Sequence, residues 1–293
     1  MSKRYIKEYI PLKDEFLENP FSILDSRSAQ WQSRKKEWLA VGLGNECRLN
    51  LKKDKGVERE RITGEEKKES SYVSVFDPYL SELMYKWFGV VGGKIIDPFC
   101  GGACRGIVAG KLGYRYTGID IREEQIDNNK QLSRIILGDD SVEYLCGDSN
   151  EVLDSIKDNS YDMLFTCPPY FNLEKYSELD GDISNMDWDR FRDVYYSIIK
   201  KACDKLKKGS YAVIVVGDVR ARNGGFYGLV PYTIKCFMDC GMIYYNEMIL
   251  QSPIGSGAVR ARECMRNKKI VRVHQNVLVF KKHRVVNVEK ERL

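Results

Sequence analysis

Residues 94–120 read KIIDPFCGGACRGIVAGKLGYRYTGID, and this stretch decides the fold. KIIDPF has the length and apolar content of a buried strand. It runs into Gly101 and Gly102, which free the backbone for a tight turn and for close approach of a ligand. A helix follows through Gly106–Leu112, and YRYTGID is a second strand ending on Asp120. A strand, a glycine turn, a helix and a second strand make a βαβ unit. Its closing carboxylate stands 19 residues after Gly101, where it can take ribose hydroxyls. That pattern alone suits NAD, FAD and S-adenosylmethionine (SAM) alike.

Two details favour SAM. The loop reads GGACRG and not GxGxxG, with less provision for a pyrophosphate, and SAM has no phosphate. The cationic sulfonium and amino-acid end of SAM suits an acid such as Asp97. Asp148, in CGDS after a third strand VEYLCGD, can accept from the adenine amine; the alternative is an ordinary turn aspartate.

The alternation continues outward. SYDMLFTCPPY, YAVIVVGD, YYNEMILQ and HQNVLVFKK read as further strands. REEQIDNNKQLSRIIL, WDRFRDVYYSIIKKACDKLK and LVPYTIKCFMDCG read as helices. Upstream, PYLSELMYKWF starts at Asp77–Pro78 and puts Leu80, Leu83, Met84 and Trp87 on one face. The expected fold is α/β: a doubly wound, Rossmann-like architecture with a seven-stranded, mostly parallel sheet. Residues 1–70 are expected to form a polar helical N-terminal extension and a charged linker, and residues 71–293 the catalytic domain. Within the extension, FSILDSRSAQWQSRKKEWLAVGLG reads as a turn and then an amphipathic helix through Trp31, Trp38 and Leu39.

Composition removes several classes. Of 293 residues, 43% are hydrophobic and 30% charged, a globular and not a disordered balance. No run approaches the roughly 18 apolar residues of a membrane helix, and MSKRYIKEYIPLKDEF lacks the apolar core of a signal peptide. Nine scattered cysteines read as reduced thiols, and with two histidines no metal site is expected. A cytoplasmic location follows as an expectation. The net charge of +5 is unevenly placed: +3 over residues 1–70, −6 over 71–258 and +8 over 259–293. Basic ends around an acidic middle suit a polyanion.

Thr166-Cys167-Pro168-Pro169-Tyr170 stands at the carboxyl end of the fourth strand, the edge where open α/β sheets gather their chemistry. Two prolines stiffen the chain and remove two donors, so the Pro168 carbonyl is a fixed acceptor. Tyr170 offers a flat face for a base. Together they suit a planar exocyclic amine.

DPFCGG followed by CPPY resembles the amino-group DNA methyltransferases, which methylate N6 of adenine or N4 of cytosine. Their cofactor motif is DPF-x-G-x-G, and their catalytic motif is Asp, Asn or Ser followed by PPY. PFSILDSRSAQWQSRKKEWLAVGL, SVFDPYLSELMYKWF, FTCPPYFNLEKYS, DISNM and HQNVLVF resemble the methyltransferases of tailed bacteriophages and prophages in particular, over residues 20–282. The motif order is gamma-like, and the resemblance implies the doubly wound, Rossmann-like SAM-dependent methyltransferase fold. The resemblance implies SAM as cofactor, held by Phe76, Asp97, Pro98, Phe99, Gly101, Gly102, Asp120 and Asp148. It implies Cys167, Pro168, Pro169 and Tyr170 as the catalytic loop acting on a flipped base of double-stranded DNA. It also implies a role in DNA modification, such as restriction-modification, in a bacterial or phage-infected cell. No membrane or metal partner is expected, and the protein is expected to be a monomer or homodimer.

Cys167 departs from the pattern. A thiol is a weak acceptor, so either Cys167 serves weakly or Thr166 or a water takes its place, and the choice between adenine and cytosine stays open. In the C5-cytosine methyltransferases a nucleophilic cysteine follows a proline; here it precedes two. DNA is expected to meet loops 171–186, 220–228 and 252–269, the last offering Arg260, Arg262, Arg266, Lys268 and Lys269 to phosphates, with the basic helix at 30–39 as a second candidate. Other readings are an RNA or guanine-N2 methyltransferase, a decayed SAM- or DNA-binding protein, and a dinucleotide oxidoreductase.

Overall fold

Runs of valine, isoleucine and aromatics bounded by glycine and aspartate form the strands of one sheet. The computed structural model describes residues 12–44, 47, 75–171, 179, 181–255 and 257–283. The charged linker and the last ten residues lie outside the described residues, as does most of 171–180. In chain order the elements are α1 (Leu12–Phe16), β1 (Ile23–Asp25), α2 (Ala29–Ala40), α3 (Pro78–Phe88), β2 (Lys94–Asp97), α4 (Cys104–Lys111), β3 (Arg115–Asp120), α5 (Glu123–Leu137) and β4 (Val142–Cys146). They continue with α6 (Ser149–Ser155), β5 (Tyr161–Thr166), α7 (Trp188–Lys205), β6 (Leu206–Val216), α8 (Leu229–Asp239), β7 (Met242–Gln251), α9 (Gly257–Arg266) and β8 (His274–Lys282).

The strand order is β1-β7-β8-β6-β5-β2-β3-β4. Only β8 is antiparallel to its neighbours, β6 and β7. From β2 the chain winds outward through β3 and β4, then returns to β5 on the other side of β2. This reversal opens a crevice at the carboxyl ends of β2 and β5, where ligands of such sheets bind. Helices cover both faces, and successive residues of the central strands point to opposite cores. Ile95, Met163, Phe165, Val213 and Val279 join one apolar cluster. Ile96, Leu164, Ile214, Leu278 and Phe280 join the other. This period-two alternation of fully apolar runs is what a parallel sheet buried on both faces requires.

Two expectations are corrected. The sheet has eight strands, not seven: Ile23–Asp25, expected as a turn, pair in parallel with Ile249, Leu250 and Gln251 at the edge. Three residues are too few to show a period. The basic segment expected as a loop holds the ten-residue helix α9, because GAVRARECMR contains mostly good helix formers once past its glycine.

Helix α2 is bound into the same body. Trp38 Nε1 donates to Glu82 at 2.7 Å, Arg34 pairs with Glu82 at 2.8 Å, and Trp31 Nε1 donates to Asp77 at 3.2 Å. Glu82 is fully buried on α3 and is satisfied by these partners. Residues 23–40 thus share the sheet through β1, and Leu24, Trp31 and Trp38 join one of its two apolar clusters.

Candidate active site

Four parallel strands end side by side and bring acidic or polar residues to one edge: Asp97 ends β2, Asp120 ends β3, Asp148 lies just past β4, and Thr166 ends β5 with Cys167 next to it. A cleft of about 550 Å³ opens there. Phe76, Pro98, Phe99, Gly101, Gly102, Asp120 and Asp148 line it together with Cys167, Pro168, Pro169 and Tyr170. Every expected cofactor and catalytic residue except Asp97 therefore faces one cavity.

Asp97 lies beneath the cleft, fully buried. Its carboxylate accepts from Arg105 Nε at 2.6 Å, Tyr116 Oη at 2.7 Å, Thr166 Oγ1 at 2.5 Å and the Phe99 N–H at 3.1 Å. These partners satisfy both oxygens. The expectation that Asp97 meets the cationic end of a cofactor is corrected: it is the anchor of the loop. Burial works against the charge on Arg105, and Asp97 with its neighbours more than offsets this, so the guanidinium stays ionised. Burial and then Asp97 push the Tyr116 hydroxyl well above its ordinary range, keeping it a donor. Arg105 also donates to the carbonyls of Phe99 and Cys100 at 2.8 and 3.0 Å and lies 4.5 Å from the Phe76 ring centre. Thr166 is likewise corrected. It is buried with its hydroxyl committed to Asp97, so it cannot replace Cys167 as an acceptor for a substrate.

The glycine loop is held from within. Gly101, at φ +51°, donates its N–H to Asp120 at 3.0 Å, and its carbonyl accepts from Asn129 at 2.7 Å. The N–H groups of Cys100 and Ala103 go to the carbonyls of Ile119 and Cys47. A pyrophosphate cradle needs such N–H groups turned to the ligand. Here they face the protein, which disfavours a dinucleotide and fits a phosphate-free cofactor. The rest of the lining fits SAM by its chemistry. Asp120, fixed by Gly101 and the Arg122 N–H at 2.9 Å, stands at the strand end where ribose hydroxyls bind. Asp148 caps α6 through the Asn150 N–H at 2.8 Å, and its other oxygen faces Gly181, so it is a capping residue that also lines the cleft.

In the catalytic loop, Cys167 Sγ and Tyr170 Oη are 3.6 Å apart, and Gln275 Nε2 donates to Tyr170 Oη at 2.8 Å. Gln275 was named in the sequence only within HQNVLVF, without a role. Lys35, from the basic helix offered as a DNA contact, instead lines the cleft and pairs with Asp77 at 2.9 Å. Arg105 and Lys35 carried no local signal, because their partners come from other elements. Arg260, Arg262, Arg266 and Lys268 are exposed on or just after α9, outside the cleft lining, and Lys269 is half-buried. Arg266 pairs with Glu263 at 3.0 Å. Among the described residues no cluster of histidine, cysteine or acid groups can hold a metal, and no helix is long and apolar enough to cross a membrane.

Comparison with known proteins gives matches on both halves of this site. Residues 161–292 match the DNA methylase family, and residues 92–200 match the RNA cap guanine-N2 methyltransferase family. The chain is 29% identical over 147 residues to the type II beta methyltransferase M.BslI of Bacillus sp. (strain NEB-606), which is 46% of this chain and 15% of that protein. The match thus spans only a small part of the curated relative's length. In fold the chain is similar to the [4+2]-cyclase SpnF, with a TM-score of 0.52 and 14% identity over 86% of this chain and 96% of that one. It is similar too to geranyl diphosphate C-methyltransferase from Streptomyces coelicolor A3(2), with a TM-score of 0.50 and 13% identity over 70% and 76% of the two chains. The fold is therefore the Rossmann-like fold of SAM-dependent methyltransferases, and over residues 161–292 the chain carries the sequence pattern of the DNA methylases, in keeping with its resemblance to the amino-group DNA methyltransferases.

Proposed function

We propose that the protein is a SAM-dependent DNA methyltransferase acting on an exocyclic amine of a flipped base, N6 of adenine or N4 of cytosine. The observation that carries this is the meeting of the phosphate-free glycine loop, Asp120, Asp148 and the Cys-Pro-Pro-Tyr loop in one cleft. When bound, SAM supplies a methyl group already activated by its sulfonium. Asp120 holds the ribose hydroxyls, Asp148 the adenine amine, and Phe76 and Phe99 the apolar walls. Lys35 provides a cation for a carboxylate. Tyr170, steadied by Gln275, stacks on the base. The Pro168 carbonyl accepts one hydrogen from the amine and Cys167 sulfur weakly takes the other, drawing the nitrogen lone pair out of the ring. Held positions of both partners supply much of the rate.

Double-stranded DNA is the proposed partner, contacted by Arg260, Arg262, Arg266, Lys268 and Lys269. The setting proposed is the cytoplasm of a bacterial or phage-infected cell, with a DNA-modification role supported by the type II name of the relative. The second reading, guanine-N2 transfer to RNA, is favoured by the match over residues 92–200. Nucleoside mass spectrometry of DNA and RNA from cells expressing the protein separates them. N6-methyladenine or N4-methylcytosine in DNA supports the proposal. A methylguanine in RNA with unchanged DNA supports the second reading, and no methylated nucleoside removes both.

A further inference from the structure

The turn between β6 and α8 holds an aromatic side chain that the cleft does not use. Phe226 is 48% exposed, yet its ring is not left loose. The Arg220 guanidinium lies 4.3 Å and that of Arg272 5.3 Å from its centre. The turn is tied across its neck by a bridge between Arg220 and Phe226 and by the Ala221 N–H to the Gly225 carbonyl at 2.8 Å. Arg220 closes it with donations to the carbonyls of Gly224 at 2.7 Å and Ile270 at 3.3 Å.

Arg272 links this turn to the catalytic loop. A Cβ built on Gly217 would lie 3.4 Å from the Tyr170 ring and 3.9 Å from Arg272 Nη1. That Nη1 is buried with no hydrogen-bond partner, while Nη2 stands 3.8 Å from Asp218. Arg272 thus lies against the Phe226 ring on one side and near Gly217, which the Tyr170 ring also approaches, on the other. Burying an aromatic ring serves a core, and a solvated turn favours polar residues. An exposed ring with two guanidinium groups close to it does neither. It has the chemistry of a stacking surface set among phosphates.

We propose that Phe226 is a duplex-opening wedge: its ring takes the stacking place left when the target nucleotide turns out towards Tyr170, and Arg220 and Arg272 hold it there and supply positive charge to the flanking strand. This rests on the DNA reading above. An extruded base leaves its neighbours unstacked, and an apolar side chain inserted in the gap offsets part of that loss. A wedge therefore matters for a paired target and not for one already unpaired.

The test uses the full-length protein and the target position mapped in DNA from cells expressing it. Two duplexes are compared, one with the target paired and one with an abasic site opposite it, and the readout is methyl transfer from tritiated SAM. Phe226→Ala is expected to lose about tenfold or more on the paired duplex and to stay within about twofold of wild type on the other, with Phe226→Tyr restoring the paired rate. An equal loss on both duplexes, or no loss on the paired one, overturns the wedge while wild-type activity leaves the function standing. A wild type that methylates neither duplex overturns the DNA reading and the wedge with it.

Discussion

At position 167 a sulfur stands where the amino-group family places Asp, Asn or Ser, and it lies 3.6 Å from Tyr170 Oη. If sulfur acts only as a weak acceptor, Cys167→Ser retains or raises methyl transfer, since a hydroxyl accepts better. Abolished transfer in the folded serine variant would favour a covalent thiol instead. Asp120 lends itself to a binding measurement. Its carboxylate orders the Gly101 turn and faces the cleft, so Asp120→Ala should weaken SAM by about 1.5–3 kcal/mol, the range for a hydrogen bond to a charged group. Titration calorimetry reads this directly. The wild type should bind SAM and its demethylated product and not NAD, and tight NAD binding without SAM binding would sink the cofactor assignment.

Among the elements, α9 carries the phosphate proposal. Arg260 and Arg262 project from it exposed, and Arg266 shares its charge with Glu263. Each phosphate contact releases counterions, so replacing all three with alanine should make the salt dependence of duplex binding shallower by up to about 2.7. The effect should be alike for every sequence, because phosphate contacts do not read bases. A loss confined to one target would make these arginines base readers. The same helix shows where the sequence was opaque. Flanking glycines and clustered charge mask a helix that packs little of its surface, and β1 is too short to alternate. By contrast β2, β5 and β6 were legible because burial on both faces forces apolar runs such as Met163–Phe165 and Ala212–Val216. DPFCGG and CPPY were legible because each acts through consecutive residues. The partners of Asp97, and the roles of Lys35 and Gln275, depend on chain segments that meet only in the fold.

For the whole molecule, Asp97 is a junction of four elements: its own β2, α4 through Arg105, β3 through Tyr116 and β5 through Thr166. Removing it strands a buried guanidinium, so Asp97→Ala should cost about 3–5 kcal/mol of unfolding free energy in a denaturant titration. A loss below about 1 kcal/mol, the scale of an exposed ion pair, would show that Arg105 finds water or another acceptor. The edge pairing of β1 with β7 has a consequence for how the protein is made. Ser26 and Lys35, which help wall the cleft, leave the ribosome more than two hundred residues before Met242–Gln251. The segment that follows β1 cannot dock through this pairing until its distant partner is synthesised, so the cleft is completed only after β7 has emerged. A nascent chain already holding the glycine loop and the Cys-Pro-Pro-Tyr loop still has one wall open, and a slow, long-range closure separates it from a cofactor-competent protein.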